Sequence, residues 1–229
     1  MKKILHVLCE GQTEERFCLQ VLRDYLKSYG IVVKPQILIT SKKKNSRGGL
    51  LHFAQVERDL SQMFKQFRNT DYEQHWFTTM FDFYALPNEF PGYGEQIADH
   101  RLRVDHLEKS LGEYFQNDRF VPYIQLHEFE ALVFAGLDKL KAQYAPDKKL
   151  DKSIVNLEKA LELHNNDPEE INDSPETAPS KRIIAAFAGL HNYNKKMTGP
   201  DVAKEIGMNN LKSKCIHFAQ WIKKIESLS

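Results

Sequence analysis

Six carboxylates in this sequence fall at a turn or among apolar residues, and for five of them, Glu10, Glu14, Asp82, Glu128 and Glu130, solvation alone is a poor explanation. In VLCEGQTEER an apolar run stops at Cys9, Glu10 follows, and Glu14 and Glu15 come just after Gly11. In TTMFDFY, Asp82 sits among apolar residues, and in LHEFEALVF so do Glu128 and Glu130. An acid buried in such surroundings is costly unless it is paired or bound to a cation. If these acids share one cleft, mutual repulsion raises some of their pKa values unless a cation offsets it. Hard divalent cations with oxygen ligands, Mg²⁺ or Mn²⁺, suit such a set. Two of them about 3.5–4 Å apart are the usual arrangement for phosphodiester chemistry. Each acid also has a plainer reading. Glu14 and Glu15 complement a helix dipole, and Glu130 can do the same. Asp82 can pair with Arg101 or Arg103.

The elements that must position these acids follow from hydrophobic periodicity. Residues 2–9 read as a strand buried on both faces. Residues 14–29 read as a helix, with Thr13 as N-cap and Gly30 as stop. A second strand spans 31–40, where Pro35 marks an edge or a bulge. A helix over 50–67, a strand over 75–84, a helix over 95–115, a strand over 120–127 and a further helical pattern follow. This β-α-β-α-β-α-β-α order predicts an α/β fold, a mostly parallel sheet with helices on both faces. Sites in such sheets form at the carboxyl ends of the strands. Glu10, Asp82 and the pair Glu128 and Glu130 are predicted at three such ends. Residues 162–176 hold six acids and no Lys or Arg, and read as a mobile loop or linker. SKRIIAAFAGL, PDVAKEIGM and LKSKCIHFAQWIKKIE then read as helices. The expected division is an α/β domain over 1–150 and a helical C-terminal extension over 151–229 packed on it.

Composition narrows the function classes. The chain has 229 residues, 41% hydrophobic and 28% charged, with a formal net charge of +1. That is an ordinary globular composition and not a uniformly basic coat for nucleic acid. No apolar run approaches the roughly 20 residues needed to span a bilayer. The three cysteines, Cys9, Cys18 and Cys215, are an odd count without metal spacing, so a reduced cytoplasmic protein is expected. There is no Walker-type loop, no nucleophile elbow and no HExxH, since Ala131 follows HEFE. His127 could be a ligand or a proton shuttle, although a lone histidine is more often structural. The loop SKKKNSRGG brings Lys42, Lys43, Lys44 and Arg47, which either face solvent or, beside the cleft, contact a nucleic-acid backbone. Lys181 and Arg182 in PSKRI open a predicted helix, where the dipole disfavours cations. That conflict suggests a job in binding phosphate or stabilising developing negative charge.

A hydrophobic strand ending in Glu-Gly, then a helix, and a later strand ending in Asp resemble a Toprim domain. CEGQTEERF, FDFYALPNEFPG, VPYIQLHEFEALVF, PSKRI and GPDVAKEIGMNNLKSKCIHFAQWIKKIE together are similar to a bacterial family, domain of unknown function 4276. This family is related by inference to nucleases of the overcoming-lysogenization-defect type. The resemblance implies that Glu10 is a metal ligand or general acid/base and Glu14 the second glutamate, one helical turn later. It makes Asp82 the first Asp of Asp-x-Asp, with Tyr84 a departure in the place of the second. Glu128 and Glu130 would then supply the missing charge, and Lys181 the basic role near the cleavage site. It further implies a Mg²⁺- or Mn²⁺-dependent nuclease acting on DNA or RNA, an ATPase partner on a separate chain, and antiphage defence; self-association stays open. The competing expectation is a non-catalytic regulatory subunit that docks on an ATPase around a vestigial cleft. Phosphoryl chemistry on a small nucleotide is a third.

Overall fold

The computed structural model describes residues 1–41, 46–47, 50–172 and 177–228. Strand β1 (Lys2–Cys9) leads into α1 (Gln12–Phe17), which continues through a π turn at Cys18–Leu22 into α2 (Arg23–Leu26). Strand β2 (Ile31–Ile37) returns beside β1, and a small antiparallel pair, β3 (Ile39–Ser41) and β4 (Ser46–Arg47), follows. Next come α3 (Phe53–Gln66), β5 (Glu73–Asp82), α4 (His100–Phe115), β6 (Phe120–Val121) and β7 (Ile124–Gln125). The rest is helical: α5 (Glu130–Val133), α6 (Leu137–Ala142), α7 (Lys148–Glu162), α8 (Pro179–Phe187), α9 (Lys195–Ile206), α10 (Met208–Lys214) and α11 (Ile216–Glu226).

The five-stranded sheet runs β2-β1-β5-β6, with β7 also on β5, and every pairing is parallel. Pro35 lies in β2, at the sheet's edge, where its missing N–H costs no ladder bond. The expected fourth strand is split at Pro122. Thr79 repairs the gap: its hydroxyl donates to Tyr123 O at 2.8 Å and accepts from Tyr123 N at 2.9 Å.

Alternation along the strands feeds two cores. Leu5, Val7, Cys9, Met80 and Tyr123 face α1, α2 and the C-terminal helices. Leu8, Phe77, Phe81 and Ile124 face α3 and α4. Both faces are therefore covered, as near-continuous apolar strands require. The helical C-terminal part shares the first core: Trp221 is buried, stacks on Tyr123 with centroids 4.0 Å apart and donates from Nε1 to Thr78 Oγ1 at 2.9 Å. No helix among the described residues is long and apolar enough to cross a membrane.

The acidic segment expected to be a linker is partly packed. Glu169, fully buried, accepts the N–H groups of His217 and Phe218 at 2.7 and 2.9 Å. It thereby satisfies the otherwise orphaned first turn of α11. Its sequence neighbours Asp167 and Glu170 pair with Arg101. The acidic run is used as a cap and an ion-pair partner, which a count of charges does not reveal.

His6 and His75 are buried in contact, Nε2 to Nδ1 at 3.0 Å, and His6 stacks on Phe67 and Phe77. Burial, reinforced by His75, pulls the His6 pKa down to about 3. The unfolded chain binds that proton near pH 6.5, so the contribution is complete above pH 6.5 and is lost as the pH falls toward 3. The His6 share is read as a difference between two proteins: from pH 6.5 to 5, wild type should lose more stability, or gain less, than His6→Phe, by up to one proton or about 1.4 kcal/mol per pH unit in thermal unfolding. An unchanged slope would show that His6 does not titrate this way.

Candidate metal centre

Glu10 is the residue immediately after β1, and its N–H donates to Met80 O on β5 at 3.1 Å. That extends the β1–β5 ladder by one residue and sets Glu10 beside Asp82, the last residue of β5. The Asp82 N–H donates to Glu10 Oε2 at 3.1 Å. On the other side of β5, Asp82 pairs in register with Gln125 of β7. Beyond β7 the chain turns at His127, whose φ of 59° is left-handed. The turn is held by the Tyr84 N–H on His127 O at 3.1 Å and by the Tyr84 hydroxyl on Nδ1 at 2.9 Å. It delivers Glu128, and Glu130 at the head of α5, to the same sheet edge.

A cavity of about 300 Å³ opens there. It is lined by Glu10, Gly11, Gln12, Thr13, Glu14, Asp82, Phe129, Glu130, Lys195 and Lys196. Glu14 turns back on its own helix, accepting the Gly11 N–H at 2.8 Å. Asp82 accepts the Phe129 N–H at 2.9 Å. It pairs with neither suggested arginine, since Arg101 is taken by Asp167 and Arg103 lies over the rings of Phe83 and Tyr93. Glu130 accepts from the Tyr193 hydroxyl at 3.4 Å. Glu128 is held by the Ser180 N–H on Oε1 and by Lys195 Nζ on Oε2 at 3.0 Å, and it does not line the cavity.

The electrostatics follow from this crowding. Burial pushes Glu10 up to about 7, against the opposing Asp82 N–H and Lys195. Burial and then the Glu10 charge push Glu14 up to about 7. Burial, opposed by Lys195, takes Glu130 to about 7. Asp82 is raised well above the usual range by burial and then by Glu10, Glu14 and Glu130. Burial alone would lower Lys195, but Glu130 and Glu128 outweigh it and hold the ammonium charged. Among the described residues Lys195 alone is ion-paired with these acids, and Lys196 is exposed at the rim, so the set is short of positive charge and rich in the oxygen donors that hard dications prefer.

The other residues singled out by sequence are placed as follows. Lys181 is exposed in the first turn of α8 and does not line the cavity. Arg182 donates from Nε to Thr177 O at 2.8 Å. Lys42, Lys43 and Lys44 lie outside the described residues, and of Arg47 only the backbone, in β4, is described. The side chain that sequence reasoning missed is Lys195. A helix was expected to open at Pro200, a favoured first position for proline. Instead α9 starts at Lys195 behind the N-cap Asn194 and carries Pro200 inside it. Read with that boundary, Lys195 and Lys196 show the same conflict with the helix dipole that drew attention to Lys181. Gly199 makes the placement feasible: a Cβ there would lie 3.1 Å from the Phe129 ring, so α9 packs close over the residue between Glu128 and Glu130.

Comparison with known proteins adds the following. The model of a family described as a domain of unknown function, DUF4276, matches residues 9–226. Among solved structures the chain is similar to the C-terminal region of the Burkholderia pseudomallei OLD protein. The identity is 13%, covering 97% of this chain and 98% of that one, with a TM-score of 0.41. No curated protein matches the sequence.

The raised carboxyl pKa values carry a sign. In the unfolded chain these acids ionise near 4.3; in the folded one Glu10 does so near 7. Their contribution is intact below about pH 4.3 and is lost as the pH rises through 7. Removing one charge should then stabilise the metal-free protein at pH 8. Glu10→Gln keeps an acceptor for the Asp82 N–H and is expected to raise the unfolding midpoint in chelator by about 2–4 °C, roughly 1 kcal/mol for a chain this size. At pH 4.5 the gain should vanish. A lower midpoint at pH 8 would show that the cluster is not repulsive.

Proposed function

Because the chain belongs to the DUF4276 family, a domain of unknown function, its activity has to be argued from the cleft, and we propose that it is a divalent-metal-dependent phosphodiesterase of the nuclease kind. One observation carries the reading: four carboxylates from the ends of adjacent parallel strands and the helices that follow them line one cavity with two lysines. Glu10, Glu14, Asp82 and Glu130 would hold Mg²⁺ or Mn²⁺, and Glu128 would join them on releasing Lys195. The donor set fits, being all oxygen and short of positive charge. When bound, the ion would supply Lewis-acid activation of water and neutralise charge on the phosphate.

The chain's own residues do the rest. Lys195, held in the metal-free cleft by Glu128 at 3.0 Å and 3.6 Å from Glu130, would on release turn its ammonium to a phosphate oxygen and stabilise charge as it develops. Lys196, exposed at the cavity rim, would meet the backbone of a nucleic-acid substrate. Lys181 and Arg182, and the segment bearing Lys42, Lys43, Lys44 and Arg47, would extend that contact. Glu10, with its pKa near 7, suits proton transfer at neutral pH. Tyr84 holds His127 and does not line the cavity, so the acid missing at that position would come from Glu130 on the neighbouring strand connection. Nucleic acid as substrate, a separate ATPase chain as partner, a cytoplasmic setting and antiphage defence belong to this proposal through the sequence resemblance.

The decisive measurement is hydrolysis of labelled DNA and RNA with Mn²⁺ or Mg²⁺, with and without a co-encoded ATPase. Glu10→Ala and Asp82→Ala should each lower the rate at least 100-fold, and chelator should abolish it. A second reading, a non-catalytic subunit of an ATPase, draws on Tyr84 standing where the second acid would be. It takes over if both variants retain full function in cells.

A further inference from the structure

A second group of donors lies away from the cleft. Among the described residues, the three whose ligand atoms fall within 4.8 Å of one another are Asp105, Glu108 and His217. They share no residue with the cleft lining. Asp105 and Glu108 lie one turn apart on α4, so both point from one face of that helix. His217 is the second residue of α11. The three meet over the edge of the sheet formed by β6 and β7, where helices from the two opposite layers come together.

The ring of His217 is 97% buried, being 3% exposed, and its two nitrogens are treated differently. Nε2 is 2.9 Å from Glu108 Oε1 and 3.2 Å from Ile124 O. Tyr123 stacks on the ring face, centroids 5.4 Å apart, so the ring cannot rotate away. Nδ1 is buried and makes no hydrogen bond. It faces Asp105 Oδ1 at 3.4 Å, which is long for a charge-assisted hydrogen bond. Two donors each about 2.0–2.1 Å from a tetrahedral Zn²⁺ are separated by about 3.4 Å. A carboxylate gripping the far nitrogen of a histidine is also the usual way to aim the near one at a metal.

We propose that Asp105, Glu108 and His217 form a binding site for a transition-metal dication of the Zn²⁺ class, which ties α4 to α11 across the sheet edge. His217 Nδ1 and the half-exposed Asp105 carboxylate are the primary donors. Glu108 fixes the ring from its far nitrogen and is a positioning residue rather than a donor. Asp105 and Glu108 border an open depression with Lys109, Glu113, Gln220 and Lys224, through which the ion enters and water completes its shell. Mixed nitrogen and carboxylate donors favour Zn²⁺ or Co²⁺ over Mg²⁺. Without the ion the ring stands as an imidazolium between two carboxylates, bonded to Glu108 through Nε2 but only ion-paired with Asp105 through Nδ1, and a bound ion has to displace the Nδ1 proton. It does not rest on the cleft being catalytic.

The test is calorimetric titration of Zn²⁺ into the untagged, chelator-treated full chain at pH 8, with Co²⁺ as a spectroscopic probe. The cleft variant Glu10→Ala/Asp82→Ala should bind one equivalent with tetrahedral Co²⁺ absorption, and wild type should bind at least that equivalent. In the cleft-variant background, Asp105→Asn changes a half-exposed side chain and should fold; its affinity should fall at least tenfold and the Co²⁺ bands should disappear. Glu108→Gln should weaken binding about 10–100-fold, as loss of an orienting carboxylate does. Zn²⁺ binding that survives Asp105→Asn in that background, that is lost in the cleft variant, or that is absent in wild type would overturn the proposal. The trio would then be an ion-paired imidazolium and nothing more.

Discussion

Most of this structure answers one electrostatic constraint: several carboxylates share a low-dielectric sheet edge. Like charges crowded together cannot all ionise cheaply, and burial makes each harder still to charge. The chain meets the constraint with donors already at hand. The N–H groups of Asp82, Phe129, Gly11 and Ser180 each point at a carboxylate oxygen. Among the described residues the cation paired with these acids is Lys195, from a helix more than sixty residues beyond Glu128 and Glu130. The helical C-terminal part is therefore an electrostatic component of the cleft, as well as a cover for one face of the sheet. Ser180 at the head of α8 and Lys195 at the head of α9 both engage Glu128, which acts as the joint between strand end and helical layer.

The fold was legible because the relevant signals are local. Apolar strands, amphipathic helices and their alternation give the parallel sheet directly, and Pro35 marks its edge. Glu10, Asp82, Glu128 and Glu130 could be placed together because the carboxyl ends of parallel strands share one edge whatever the details of packing. Glu14 and Glu15 look alike in sequence, but the structure separates them. Glu14 is buried, bonds Gly11 and lines the cavity, and Glu15 does not line it.

What escaped the sequence depends on contacts between distant segments. Lys195 was hidden by a helix boundary, since a proline that could open a helix at 200 in fact sits within one. Glu169 looked like part of a solvated acidic run, yet its carboxylate caps α11 some fifty residues later. The split at Pro122 is bridged by the hydroxyl of Thr79, a role no local pattern announces. Asp105, Glu108 and His217 are unremarkable in sequence, because 109 residues separate the last pair and only the packing of α4 against α11 brings them together.

The departure at Tyr84 bears most directly on whether the cleft works. A chain that had merely lost the second acid of an Asp-x-Asp pair would be expected to relax the rest, since buried unneutralised carboxylates destabilise a protein with nothing gained in return. Here the opposite holds. Glu14 and Glu130 are buried, Glu10 and Asp82 are partly buried, and all four are pushed toward neutrality, while Tyr84 fixes His127, the left-handed residue that aims the next strand end at the cavity. The hydroxyl has taken over positioning, and Glu130, arriving through that turn, brings the carboxylate. A ring of acids at a sheet edge is what the proposed function requires, since holding a dication against a phosphate takes several oxygen donors at one place.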